Sequence, residues 1–424
     1  CIRISKTAET VPPNLMENAG YDLLEEPRPM DARPAAWRRA VVPAVAAMGL
    51  LGAVMLIAGN QNQTNHTKHA SHEPIPSIPS QLPHVTDLDA SVQSKKAPQL
   101  PQGSAPYSRS TMSLPSKSGS NASKLLPVVM FHGATETEQE FSKVKEWIKA
   151  EHPGTFTVLV NLFNGPSSFQ PLEDQVRGLY AYLSRLVDDF PDQFHQGYNL
   201  LCHSQGALVC RVAVQVMDHH RVVNFISLAG PQMGVYGTTW LESAQPFLEK
   251  NLPIPALPAF IPQSVMSMGA GILASNFYSF AYTTLQNSTS LANLWHDPLH
   301  EEEYLKGNVF LPRANGEVGR GSVGKGNFVK LRKAVFLVGS FERHFDSRLG
   351  LEPWQTGIFG FYKAGSDTEM VPMEKQELFH KDTFGLRTLH ESGRLHLEAV
   401  PNIEHGDWLI HEKVFKRYVL PHLA

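Results

Sequence analysis

The sequence predicts an α/β domain on a mostly parallel sheet with a helical cap insertion, preceded by a transmembrane helix and a disordered stalk. Three observations predict it. Residues 125–424 alternate short β-branched runs with amphipathic stretches, the rhythm of β-α-β units whose sheet is covered on both faces. One strand-to-helix junction in that region is a tight turn holding a serine, Cys202-His203-Ser204-Gln205-Gly206. Ahead of residue 125 stand an uncharged apolar run and then a segment too poor in large side chains to fold.

Residues 1–40 read as a cytosolic tail. Tyr21-Asp22-Leu23-Leu24 within it has the pattern of a tyrosine-based sorting signal and is a candidate contact for sorting adaptors. Residues 41–59 carry no charge over a length that crosses a bilayer as a helix. Arg28, Arg33, Arg38 and Arg39 precede them, whereas the next cation is Lys68, so the basic side faces the cytosol and the rest lies in a lumen. About 40 residues precede the run, too long a lead for a cleaved signal peptide, so a signal anchor is expected. Because Cys1 stands where an initiating Met would, the sequence is expected to be a fragment or a processed numbering.

Residues 60–124 are rich in Pro and Ser and contain one aromatic, Tyr107, so burial cannot offset the entropy of ordering them. They read as a flexible lumenal stalk. Asn62, Asn65 and Asn121 begin glycosylation sequons there, and Asn287 begins a fourth further on.

Within 125–424, residues 126–131 and 155–162 are the first strand candidates, with Phe141, Val144, Trp147 and Ile148 at helical spacing between them. A helix is expected over 175–190, its stripe formed by Val176, Leu179, Tyr180, Leu183, Leu186 and Val187. A strand at 198–201, a helix at 205–217 and strands at 222–228, 334–338 and 395–399 follow, and a single helix over 407–420 closes the chain. The segment 231–300 is an insertion rich in Leu, Ile, Pro and Phe, including 252–261, and is expected to cap the sheet and line an apolar groove.

The net charge of −3 and pI near 6.7 lack the basic footprint of a nucleic-acid binder, so no nucleic-acid partner is expected. Three cysteines are too few for a disulfide scaffold or a Cys-based zinc module. The Ser204 turn, between an apolar strand and a helix, is a nucleophile elbow and makes the α/β fold an α/β-hydrolase. Cys202 stands where a Gly is usual, and both are small enough to lie against a neighbouring strand. A nucleophilic serine needs a base and an acid in the chain order Ser, acid, His. His405, between the last strand and the last helix, is the candidate base. The acid should follow the strand at 334–338; Glu342, Asp346 and Glu352 qualify, and Asp346 is preferred for its place several residues past the strand and before Pro353-Trp354. The N–H groups of Ala134, after the first strand, and Gln205, after the nucleophile, are the candidate oxyanion donors.

Residues 125–424 resemble the palmitoyl-protein thioesterases, especially their lysosomal second branch. The resemblance is carried in order by Phe131-His132-Gly133, His152-Pro153-Gly154-Thr155, Cys202 through Arg211, Phe225-Ile226-Ser227-Leu228, Pro231 through Gly237, Trp295-His296-Asp297-Pro298, Phe359-Gly360-Phe361-Tyr362 and Phe384-Gly385-Leu386. It implies hydrolysis of long-chain fatty-acyl thioesters, from S-acylated protein or acyl-CoA, through an acyl-serine, with Ser204 as nucleophile and His405 as base. It implies no metal or organic cofactor and no chemical role for Trp295-His296-Asp297-Pro298. It also suggests a Cys202–Cys210 disulfide, two free buried cysteines being the alternative. A carboxylesterase or lipase on oxygen esters, and a catalytically silent lipid-binding protein, are the rival readings. The expected setting is a single-pass type II membrane protein with its catalytic domain in a lysosome, endosome or other secretory compartment.

Overall fold

The computed structural model describes residues 112–113, 125–237, 278–279, 281–319, 324–340 and 351–423. The expected tail, the span 41–59, most of the stalk and the apolar run 252–261 lie outside the described residues. Among the described residues no helix is long and apolar enough to cross a membrane.

Strands β1 (Met112–Ser113), β2 (Val128–Phe131), β3 (Thr157–Leu159), β4 (Tyr198–His203), β5 (Val222–Leu228), β6 (Lys333–Gly339), β7 (Phe361–Tyr362), β8 (Met370–Val371) and β9 (Leu395–Val400) are described. Seven form one sheet in the order β1-β3-β2-β4-β5-β6-β9, while β7 and β8 pair as a separate ribbon. Every neighbouring pair in the large sheet is parallel except β1 with β3. Every residue of β2 and β4 is buried, as strands covered on both faces require. Met112 and Ser113, assigned from the sequence to the stalk, form the edge strand instead, pairing with Val158 and Thr157. A two-residue strand takes its conformation from its partner, so its own composition gives no signal.

The strand order reverses at β2: the chain moves outward to β3 and then returns past β2 to β4. In open α/β sheets the crevice at such a reversal, at the carboxyl ends of the strands, is where ligands bind.

Three helices flank this point: α1 (Ser142–Glu151), α2 (Leu172–Asp189) and α3 (Ser204–Val216). The inner stripe of α2 is Leu172, Gln175, Val176, Leu179, Tyr182, Leu183 and Leu186. Tyr180 and Val187 of the expected stripe are only half-buried, because Tyr182 turns inward. From Ser204 to Gln215, every residue of α3 is buried, the pattern of a helix enclosed on all sides. Its arginine is satisfied there: Arg211 donates to the side chains of Gln232 and Asn315 and to Ala314 O, and its guanidinium lies over the Phe384 ring. Burial lowers the Arg211 guanidinium to about 9, against the opposing charge of Glu317.

Two expected elements are corrected. The strand expected over 155–162 is only Thr157–Leu159: Thr155 N still bonds back to His152 O in a turn, and at Phe163 the chain is left-handed (φ 58°). The single closing helix is broken. A short α4 (Asp407–Ile410) ends at His411, whose ψ of 105° is extended, before a turn at Glu412–Val414 and a wide turn at Phe415–Val419. Buried Phe415 packs against Trp147 of α1, at 5.6 Å between ring centroids.

Candidate active site

The carboxyl ends of β2 and β4 bring the candidate residues together. Ser204 follows directly on β4 in the left-handed region (φ 54°), a conformation that costs a non-glycine residue energy and recurs at functional turns. Gly206 permits this packing, since a Cβ there would fall 2.1 Å from the carbonyl oxygen of His132 at the end of β2. A Cβ on Gly133 would come 2.6 Å from Ser204 Cβ, so the turn after β2 lies directly against the serine.

His405 reaches this turn from the loop after β9, its Nε2 2.9 Å from Ser204 Oγ, and both residues are buried. The loop is set by Asn402 in the left-handed region and by Asp407, whose carboxylate accepts from Glu404 N at 2.8 Å. The fully buried Trp408 anchors it further. Truncating such a tryptophan costs about 3–5 kcal/mol, against about 1 kcal/mol for one hydrogen bond, so Trp408 sets the loop's place more than its cap does.

The turn Gly133-Ala134-Thr135-Glu136 is fixed at both ends. Gly133 N donates to Glu136 Oε2 at 2.7 Å, and Thr135 N donates to Ser168 Oγ at 2.8 Å. The Ser168 carbonyl accepts from the side-chain amides of Gln205 (2.6 Å) and Gln175 (2.7 Å), tying the elbow to α2. Sequence reasoning missed Ser168 and Gln175, which are about 30 residues or more from the elbow in sequence.

It also missed a second buried cluster. His203, the residue before the serine, sets Nδ1 3.0 Å from Glu136 Oε2 and Nε2 2.8 Å from the carbonyl of His405. Burial alone would raise the Glu136 carboxyl, but the charge and hydrogen bond of His203, the Gly133 N–H and the charge of His405 bring it down to about 2. The available signal was a carboxylate three residues past His132-Gly133 and a histidine beside the serine.

Of the acid candidates, Glu342 and Asp346 lie outside the described residues. Glu352 stands against Gly237, where a Cβ would come 2.2 Å from its Cδ, and its charge acts on Tyr362. Cys202 of β4 and Cys210 of α3 are joined as a disulfide across the elbow. Trp295-His296-Asp297-Pro298 has a bracing geometry: Trp295 bridges Val235, His296 Nδ1 donates to Met233 O at 2.7 Å, and Asp297 caps Leu299 N.

A parallel sheet with a serine elbow and a histidine at its switch point defines an α/β-hydrolase. The sequence profile of the palmitoyl protein thioesterase family matches residues 127–405. Lysosomal thioesterase PPT2-B of Xenopus laevis is 33% identical over 301 residues, spanning 70% of this chain and 93% of its own. Human lysosomal thioesterase PPT2 is 33% identical over 304 residues, spanning 70% and 88%. Among solved structures, the mature lipase BlEst2 of Bacillus licheniformis is 13% identical, with a TM-score of 0.40 over 74% of this chain and 98% of its own. The chain belongs to the palmitoyl protein thioesterase family and is a thioester hydrolase.

Proposed function

We propose that this enzyme hydrolyses long-chain fatty-acyl thioesters through an acyl-enzyme on Ser204. The 2.9 Å approach of His405 Nε2 to the hydroxyl of a left-handed elbow serine carries the reading. His405 takes the Ser204 proton as Oγ attacks the acyl carbonyl. The C–S bond then breaks, the thiol leaves with that proton, and His405 activates water to release the fatty acid. A thiolate leaves readily, so this step needs less acid assistance than amide cleavage. Asp346 is the proposed orienting acid.

Ala134 N and Gln205 N are the proposed oxyanion donors. The N–H groups flanking Ala134 are committed to Glu136 and Ser168, and Gly133 lies against Ser204, which supports Ala134 N as the donor beside the serine. Gln205 is the second residue of α3, where N–H groups lack an intrahelical acceptor. Loss of one such donor costs on the order of 3 kcal/mol of transition-state stabilisation.

The setting proposed is the lumen of the lysosome or a related compartment, with residues 41–59 as a signal anchor, Tyr21-Asp22-Leu23-Leu24 as its sorting contact and glycans on the stalk. The disulfide suits an oxidising lumen, Asn287 of the fourth sequon is exposed, and the relatives above are named lysosomal thioesterases. A fluorophosphonate probe is expected to label the wild-type chain and not Ser204→Ala, and palmitoyl-CoA turnover is expected to exceed that of a p-nitrophenyl ester. An unlabelled wild type would favour a silent lipid-binding protein, and the reverse ester preference a carboxylesterase.

A further inference from the structure

The His203–Glu136 contact has a fixed proton count. The carbonyl of His405 has no proton to give, so His203 Nε2 carries one. Glu136 Oε2 already accepts from Gly133 N at 2.7 Å and lies 3.0 Å from His203 Nδ1. One further proton therefore lies between Oε2 and Nδ1. An imidazole is intrinsically more basic than a carboxylate by about two pH units, and the N–H of Gly133 further favours the anionic oxygen. The proton belongs on the ring.

We propose that the buried His203 imidazolium and Glu136 carboxylate are positioning residues that lock the oxyanion turn and the base loop onto the nucleophile elbow. Through Oε2 the pair fixes the His132–Gly133 peptide, the plane from which the chain turns into Ala134. Through Nε2 it fixes the backbone of His405. His203 is itself the residue before Ser204, so one ion pair ties together the ends of β2, β4 and β9. The inference rests on the catalytic reading of Ser204 and His405.

Glutamine cannot replace the carboxylate, because one atom serves both contacts. A carbonyl oxygen there would accept from Gly133 but face the bare Nδ1 of a neutral His203. An amide nitrogen there would satisfy Nδ1 but oppose the Gly133 N–H.

The test uses the full chain with Glu136→Gln, His203→Gln and the charge-conserving Glu136→Asp, each followed by thermal unfolding. Fluorophosphonate labelling of Ser204 and kcat and KM for palmitoyl-CoA are measured on the folded fraction. A misplacement near 1 Å costs roughly 100-fold in rate, so kcat and labelling are expected to fall about 10–100-fold in the Gln variants, with KM within about twofold. Glu136→Asp is expected to recover a substantial part of the loss. Labelling and kcat per folded molecule within about twofold of wild type in both Gln variants would overturn the bracket. So would a Glu136→Asp protein that folds yet performs no better than Glu136→Gln. Wild type that labels and turns over while the variants match it sinks the bracket alone, whereas wild type that does not label at Ser204 sinks the catalytic reading and the bracket with it.

Discussion

Ser204 and His405 meet across a separation of 201 residues, and what holds them together is backbone rather than side-chain charge alone. The serine sits in a left-handed conformation, and the Gly133 and Gly206 backbones pack close about its turn. Glu136 gives the site a specific pH response. Its carboxyl is lowered from 4.5 to about 2, with His203 and His405 the titratable groups facing it. A depressed carboxyl contributes stability that is fully present above the unfolded value and lost as pH falls through the folded one. Because folded wild type holds a proton on His203 that the folded variant lacks, the difference in urea midpoint between wild type and Glu136→Gln is expected to widen from pH 7 to about 5, then to level off and narrow toward pH 2 as the carboxylate contribution is lost. A gap that stays constant down to pH 2 would mean that the carboxylate is not held by these partners.

At the scale of elements, the elbow is a strand and a helix joined twice, once through the chain and once through Cys202–Cys210. The loop closed spans a separation of eight residues, for which chain entropy assigns about 2.5 kcal/mol of stabilisation. Replacing both cysteines by alanine is expected to lower the urea midpoint correspondingly, and an unchanged midpoint would show that the packing of α3 alone suffices. The elements themselves were largely legible. The ends of β5 fall where its β-branched run places them, and β6 and β9 extend only a residue or so beyond theirs. The break in the closing helix was not, because the periodicity of Trp408, Phe415 and Val419 also suits one continuous helix. Contact with Trp147 from a distant element is what holds Phe415 in place.

For the whole molecule, the order of the strands explains why the site lies where it does. Residues from the ends of β2, β4 and β9 converge at the reversal beside β2, and the family places a thioester hydrolase on that frame. A lumenal placement makes a separate prediction. Protein made in its own cells is expected to lose mass on treatment with an N-glycosidase, and Asn287→Gln to remove one glycan's share of that shift. An unshifted band would count against the lumenal orientation inferred from residues 28–59.

Taken alone, the sequence determined the alternation of strands and helices, the serine elbow, the histidine after the last strand and the thioesterase resemblance, because each is written in local spacing or a contiguous motif. Tertiary structure decided the rest: that Met112–Ser113 joins the sheet edge, that Cys202 and Cys210 pair, and that Glu136, Ser168 and Gln175 belong to the site. These depend on which distant backbones approach, and a buried hydrogen bond between residues 67 apart leaves no periodic mark in the chain.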